Sequence, residues 1–189
     1  GSFEHTDGAV YPNFSKTVIE PFEIPKHWYM IRVGHDHGLR NPTAAVFAAV
    51  NPFKTKRDFD FPKIVVYDVH YEAGQLVPYH AKVIKEKLSK LPYGVSLVMK
   101  TDPSTRNKDP ITGRSVQGYY QELGAFFQPA NNSLDMGLAK VNTYIETGAL
   151  KIFNTCKPLI EEGLNYKYPE QDLIDEKNPE EKPKKFKDH

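Results

Sequence analysis

The sequence predicts a mixed α/β fold, and two observations support this prediction. Three runs rich in β-branched and aromatic residues occupy residues 28–33, 43–50 and 64–71, with short connections between them. Runs of this kind predict an antiparallel meander of strands. Beyond residue 80, segments with apolar residues at helical spacing alternate with short apolar runs. This alternation predicts a sheet that is flanked by helices.

The remaining elements follow in order along the chain. Ala81, Ile84, Leu88 and Leu91 lie at helical spacing and predict the first helix. The later predicted elements are a strand at 95–100, a short helix at 116–123, a helix at 134–145 capped by Ser133, a strand at 149–153 and a last helix at 158–163. By analogy, five strands in this order match a ribonuclease H-like fold, with a mixed five-stranded sheet flanked by helices.

Composition narrows the class of protein. The 189 residues suit one domain, and 39% hydrophobic and 26% charged residues are typical of a globular protein. No apolar run approaches the roughly 18 residues of a membrane span, so we expect no membrane partner. The single cysteine, Cys156, excludes an internal disulfide and a zinc–thiolate cluster. The formal net charge is +1, so any surface that binds nucleic acid must be local.

Two acidic residues lie where predicted strands end. Asp36 is the centre of residues 34–38 (GHDHG), and Asp102 follows the fourth strand in residues 101–104 (TDPS). Each segment alone also fits a polar turn. In the predicted fold the first and fourth strands are neighbours, so the two carboxylates would converge. Converging carboxylates need a cation, and their hard oxygens favour Mg²⁺ or Mn²⁺. Two such ions can activate a water and stabilise the leaving oxygen of a phosphodiester.

Further candidate ligands and a group of cations carry weaker signals. Asp188 could add a third carboxylate and His189 a nitrogen ligand, although terminal residues are more often solvated. His35 and His37 are expected on an exposed turn, as ligands or as ordinary turn residues. Cations around the second acid could contact DNA phosphates or simply face solvent; they are Lys100, Arg106, Lys108 and Arg114.

Several motifs together resemble the nuclease domain of tailed-phage terminase large subunits. Residues 31–38 (IRVGHDHG) and 41–44 (NPTA) are similar to the family's Gly-x-Asp-x-Gly element and the start of its second strand. Tyr67-Asp68, His80-Ala81 and Asp102-Pro103-Ser104 are similar as well, and the tail KKFKDH looks like the start of a terminal motif, roughly Asp-His-x-x-Asp-Ala. The resemblance covers residues 28–189.

The resemblance implies catalytic metal ligands at Asp36 and Asp102. It implies a third acid at Asp188, or beyond residue 189 if His189 is the motif histidine. The implied activity is a two-metal-ion endonuclease that uses Mg²⁺ or Mn²⁺ and cuts concatemeric viral double-stranded DNA during genome packaging in the host cytoplasm.

The implied partners are double-stranded DNA, the portal protein, the small terminase subunit and an ATPase domain before residue 1. Residues 1–27, broken by three prolines, would be the lead-in from that domain. The sequence lacks the GxxxxGK[ST] phosphate loop, so ATP hydrolysis would belong to the preceding domain. Two alternatives stay open: a transposase- or recombinase-type nuclease of the same fold, and a non-catalytic docking module.

Overall fold

The structure is a computed structural model that describes residues 8–28, 30–52, 61–131 and 133–168. A seven-stranded sheet is the central element of these residues. The strands are β1 (Val18–Ile19), β2 (Met30–Asp36), β3 (Thr43–Val50), β4 (Ile64–Glu72), β5 (Ser96–Thr101), β6 (Gln128–Pro129) and β7 (Leu150–Phe153), arranged in the order β1-β7-β4-β3-β2-β5-β6. The described residues also form α1 (Val77–Leu88), α2 (Val116–Glu122), α3 (Leu134–Glu146) and α4 (Lys157–Asn165), with 3₁₀ helices at Phe14–Thr17 and Pro103–Arg106.

The central strands form the predicted meander. β2 pairs antiparallel with β3, and β3 pairs antiparallel with β4, with an irregularity after Phe47. β5 then joins the other side of β2 in parallel, and β7 joins β4 in parallel. Parallel neighbours require crossover connections, which the helical segments supply. The mixed α/β prediction and the neighbouring positions of the first and fourth predicted strands are thereby confirmed.

The sheet has two more strands than the five that the sequence predicts. β1 pairs with Ile152 and Phe153, and β6 pairs with Lys100 and Thr101, each over two residues at an edge of the sheet. Two residues are too few to produce a recognisable alternation, so these strands depend on their long neighbours. Phe14 is buried as well, so the 3₁₀ helix before β1 packs with the sheet.

Alternation along β2 separates two faces of the sheet. Ile31, Val33 and His35 are buried on one side, which we call the covered face, and Gly34 and Asp36 are exposed on the other. α1 and α2 lie over the covered face: the Lys87 ammonium is 6.0 Å from the centre of the Phe47 ring, and the Tyr120 ring is 4.8 Å from that of His35.

The opposite face is covered over only part of its width. Around β3, β4 and β7, residues of the sheet share an apolar cleft with the first 3₁₀ helix, α3 and α4; its lining includes Phe14, Val46, Val66, Val141, Ile152 and Leu159. Along β2 and β5 the side chains of Asp36 and Lys100 are exposed, and we call this part of the sheet the open face. A Cβ placed on Gly34 would meet no atom within 4 Å. The open face therefore leaves the backbone accessible to a ligand.

Candidate metal centre and its surroundings

Asp36 and Asp102 lie at the ends of adjacent parallel strands. His35 is paired with Thr101 in the β2–β5 ladder, so the two acids occupy the next position along each strand. Neighbouring strands lie about 4.8 Å apart, so the two acids start from adjacent backbone positions, and carboxylates on adjacent strands can share a cation. The structure therefore brings together the two acids that the sequence singled out, although they are far apart along the chain.

The Asp102 side chain is held in place by the turn that follows it. Its Oδ1 accepts a hydrogen bond of 2.7 Å from the backbone N–H of Ser104, and Pro103 begins the 3₁₀ helix. The Asp102 carbonyl also accepts bonds from the N–H and the hydroxyl of Thr105. Because one carboxylate oxygen caps the helix, the carboxylate keeps a fixed orientation at the strand end.

The four predicted DNA-binding cations are exposed but differ in their surroundings. Lys100 pairs with Gly34 on the open face, two residues before Asp102. Arg106 ends the 3₁₀ helix and Lys108 follows in the loop. The Arg114 guanidinium contacts the Glu122 carboxylate at 3.4 Å and lies 4.7 Å from the centre of the Tyr119 ring. Lys100, Arg106 and Lys108 are therefore better situated than Arg114 to contact phosphate.

The two carboxylates fit a hard divalent cation but do not form a complete metal site. No group of three or more His, Cys, Asp or Glu side chains in the described ranges is arranged to hold a metal ion. Asp188 and His189, the other predicted ligands, lie outside the described residues. The described part of the chain thus offers one exposed and one half-buried carboxylate, and water or substrate phosphate could occupy further coordination positions.

His35, expected on an exposed turn, is instead buried in β2, and this expectation was wrong. Its ring stacks on Phe127 at 4.4 Å between centres and meets the edge of Tyr120, both of which arrive from distant parts of the chain. Its Nδ1 is 2.9 Å from the Thr101 hydroxyl. Burial, with smaller contributions from nearby histidines, lowers the pKa of His35 to about 3, so the ring is neutral.

His37 connects the loop after Asp36 to α2. Its Nδ1 lies 3.2 Å from the Tyr120 hydroxyl and 3.3 Å from the Thr43 hydroxyl. The same threonine hydroxyl donates to the Gly38 carbonyl at 2.8 Å. A side chain at Gly38 would collide with the backbone oxygen of Asn41, so the tight loop requires glycine there. These contacts fix the chain immediately after the first acid.

A second pair of histidines extends this polar group beneath the sheet. His70 Nε2 and His80 Nδ1 are 2.8 Å apart, and His80 Nε2 is 3.2 Å from the Gln75 carbonyl. If His80 donates to Gln75, its other nitrogen accepts from His70, so the His80 ring is neutral. Burial lowers the pKa of each. No sequence pattern indicated this arrangement, because the histidines belong to a strand and a helix that meet only in the fold.

The architecture is a ribonuclease H-like mixed α/β fold, which solved phage large terminases share. The nuclease domain of the P22 large terminase is similar with a TM-score of 0.63 and 18% identity, covering 85% of this chain and 80% of that chain. The large terminase of one thermophilic bacteriophage is similar with a TM-score of 0.72 and 16% identity, covering 93% of this chain and 40% of that chain. A third similar structure is the large terminase nuclease of another thermophilic phage, G20c, solved with bound magnesium. Its TM-score is 0.60 at 13% identity, covering 97% of this chain and 91% of that chain.

These similarities are in structure rather than in sequence. No protein-family model matches the chain, and no curated protein matches it. At 13–18% identity the comparisons establish the fold. The chain spans about 40% of the length of the large terminase from the first of the two thermophilic phages. Nuclease domains with this fold have been solved with bound manganese, cobalt and magnesium.

Proposed function

We propose that this protein is a metal-dependent DNA endonuclease that cuts concatemeric viral double-stranded DNA during genome packaging. The observation that carries the proposal is the position of Asp36 and Asp102 at the ends of adjacent parallel strands, where Asp36 is exposed and Asp102 is half-buried. The fold that presents them is shared with the nuclease domains of phage large terminases. Converging carboxylates on an open surface suit metal-assisted phosphodiester hydrolysis.

Each residue of the centre has a proposed task. Asp36 and Asp102 hold one or two Mg²⁺ or Mn²⁺ ions, and the bond from Ser104 N–H orients the second carboxylate. Bound ions of this kind supply an activated water and stabilise charge on the leaving oxygen. Gly34 lets the DNA backbone approach the sheet, and Lys100 beside it contacts a phosphate. Arg106, Lys108 and, more weakly, Arg114 extend the phosphate contacts along the loop.

We propose that the tail completes the metal centre, with Asp188 as the third carboxylate and His189 as a nitrogen ligand. Two carboxylates and water provide few ligands for two ions, so a further acid is chemically reasonable. Deleting residues 184–189 should weaken Mn²⁺ binding and cleavage far more than it lowers the melting temperature. Calorimetric Mn²⁺ titration of the full and shortened chains measures this. Equal affinities would mean that the third ligand lies elsewhere.

The proposed biological setting is the packaging motor of a tailed phage. Residues 28–189 would be the nuclease domain and residues 1–27 the lead-in from an ATPase domain, with β1 of this lead-in paired to β7 at the edge of the sheet. A large terminase from a thermophilic bacteriophage was solved in complex with ADP. The portal protein and the small terminase subunit are proposed partners, and the host cytoplasm is the proposed location. No helix in the described ranges is long and apolar enough to cross a membrane.

The test is a cleavage assay on supercoiled plasmid with Mn²⁺ or Mg²⁺, with EDTA as the metal-free control. We expect nicking and cutting with little sequence preference that EDTA abolishes. Asp36→Asn should be inactive, whereas Asp135→Asn should retain activity, because Asp135 is an exposed acid on α3. Cleavage that persists in EDTA would contradict a metal mechanism. No cleavage with either ion at high protein concentration would favour the docking-module alternative.

A further inference from the structure

A buried side-chain hydrogen bond joins β2 and β5 one residue before each carboxylate. His35 and Thr101 are paired across the two strands, and His35 Nδ1 lies 2.9 Å from Thr101 Oγ1. The two residues are only 6% and 1% exposed. Because side chains alternate along a strand, the bond lies on the covered face while Asp36 projects from the open face.

The position of this bond matters because the ladder between the two strands ends there. His35–Thr101 is the last backbone pair between β2 and β5. Beyond it, Asp102 caps the 3₁₀ helix that begins at Pro103, and the chain after Asp36 enters the tight loop at Gly38. Strand ends are freest to separate where the ladder stops, and both acids lie at that point. A side-chain bond across the last pair therefore opposes their separation.

Packing alone does not account for an imidazole at this position. The ring stacks on Phe127 and meets the edge of Tyr120, which is a setting that a phenyl ring would also fill. His35 Nε2 is buried and has no hydrogen-bond partner among the described residues. A buried nitrogen without a partner lowers stability, and phenylalanine would avoid that penalty. The bond to the Thr101 hydroxyl is what imidazole adds.

We infer that His35 and Thr101 are positioning residues, whose hydrogen bond beneath the sheet sets the spacing of Asp36 and Asp102 for metal binding. The inference rests on the proposed function, since it assigns a support to the same centre. Carboxylates that share a cation repel each other before it binds. A productive metal site must also hold its ligands to within about 0.5 Å. The bond across the strands meets both requirements without touching the metal.

The test compares Thr101→Val with Thr101→Ser in calorimetric Mn²⁺ titrations of the full chain. Loss of a group that orients metal ligands lowers affinity about 10- to 100-fold, so we expect Thr101→Val to bind Mn²⁺ at least about tenfold more weakly. Thr101→Ser keeps the hydroxyl and should restore near-normal affinity. The matched control is Thr17→Val, because Thr17 is also buried and donates one bond, to the Phe14 carbonyl at 2.7 Å, beside the opposite edge of the sheet.

The outcomes separate the inference from the proposed function. Weaker binding in Thr101→Val, with normal binding in Thr101→Ser and Thr17→Val, supports the positioning role. If wild type binds Mn²⁺ and Thr101→Val binds it equally well, or loses no more affinity than Thr17→Val, the positioning role is overturned and the metal centre stands. If wild type binds Mn²⁺ no better than Asp36→Asn does, both the proposed metal centre and the positioning role are overturned. Should Thr101→Val fail to fold, His35→Phe, which keeps the ring stack, is judged by the same criteria.

Discussion

The two faces of β2 and β5 differ sharply although they belong to the same pair of strands. On the covered face, His35 and Thr101 are buried and hydrogen-bonded beneath Tyr120 and Phe127. On the open face, one residue further along β2, the Asp36 side chain is exposed. Because side chains alternate along a strand, the proposed positioning residue His35 and the proposed metal ligand Asp36 are neighbours in sequence but lie on opposite faces. Substitutions on the two faces should accordingly have different consequences.

The largest effect should follow from removing either carboxylate at the strand ends. Asp36→Asn and Asp102→Asn should each lower metal-dependent cleavage by at least about a thousandfold, because several kcal/mol of charge stabilisation depends on the ions they hold. The melting temperature in EDTA should be unchanged or raised, since one of two repelling charges is lost. Plasmid cleavage and thermal melts measure the two quantities. Substantial activity in either variant would remove that acid from the centre.

The covered face should show the opposite behaviour. Tyr120 is fully buried and its hydroxyl contacts His37, so Tyr120→Ala should lower the free energy of unfolding by about 3–5 kcal/mol through loss of packing. Tyr120→Phe, which loses only the hydroxyl, should cost about 1 kcal/mol. Urea denaturation of the metal-free protein measures both. A Tyr120→Ala variant as stable as wild type would mean that α2 contributes little to the covered face.

Acid should destabilise the covered face through its histidines. His70 and His80 are hydrogen-bonded to each other, and burial lowers the pKa of both below their unfolded value near 6.5. Stability from these neutral rings is fully present above that value and is lost as the pH falls below it, because the unfolded chain takes up protons first. Each ring contributes a slope of at most about 1.4 kcal/mol per pH unit.

The variant His80→Gln isolates this contribution. Its free energy of unfolding in EDTA should fall less steeply than that of wild type between about pH 6.5 and 5, since glutamine does not titrate. Parallel profiles for wild type and His80→Gln would show that this pair does not govern the acid response.

The smallest effects should come from single cations near the open face. Arg106→Ala and Lys108→Ala should each weaken DNA binding modestly and reduce the slope of log affinity against log salt by about one. Arg114→Ala should change that slope less, because Glu122 and Tyr119 already engage its guanidinium. Fluorescence anisotropy with a short duplex at several salt concentrations measures these slopes. An unchanged slope in all three variants would place the phosphate contacts on other residues.

The contrast between Asp36 and His35 shows which features of the site could be predicted from local sequence patterns. Asp36 could be selected because it ends an apolar run between two glycines, which is a local pattern. His35, its neighbour, was assigned to an exposed turn, because its burial depends on Tyr120 and Phe127. Those residues lie more than 80 positions later in the chain, and nothing near residue 35 indicates them.

The sequence by itself determined the mixed α/β class, the five longer strands and the two acids at strand ends, because strand and helix periodicities are local properties. The adjacency of β2 and β5 was predicted only by analogy with the fold, and the register that places the two acids at matching positions came from the structure. Tertiary structure alone decided that His70 and His80 meet beneath the sheet. It also decided which face of β2 is covered and that the two-residue strands form at all. These features arise from pairing between segments that are distant in sequence. Such pairing lowers the free energy only when the whole sheet assembles, so no local pattern in the sequence indicates it.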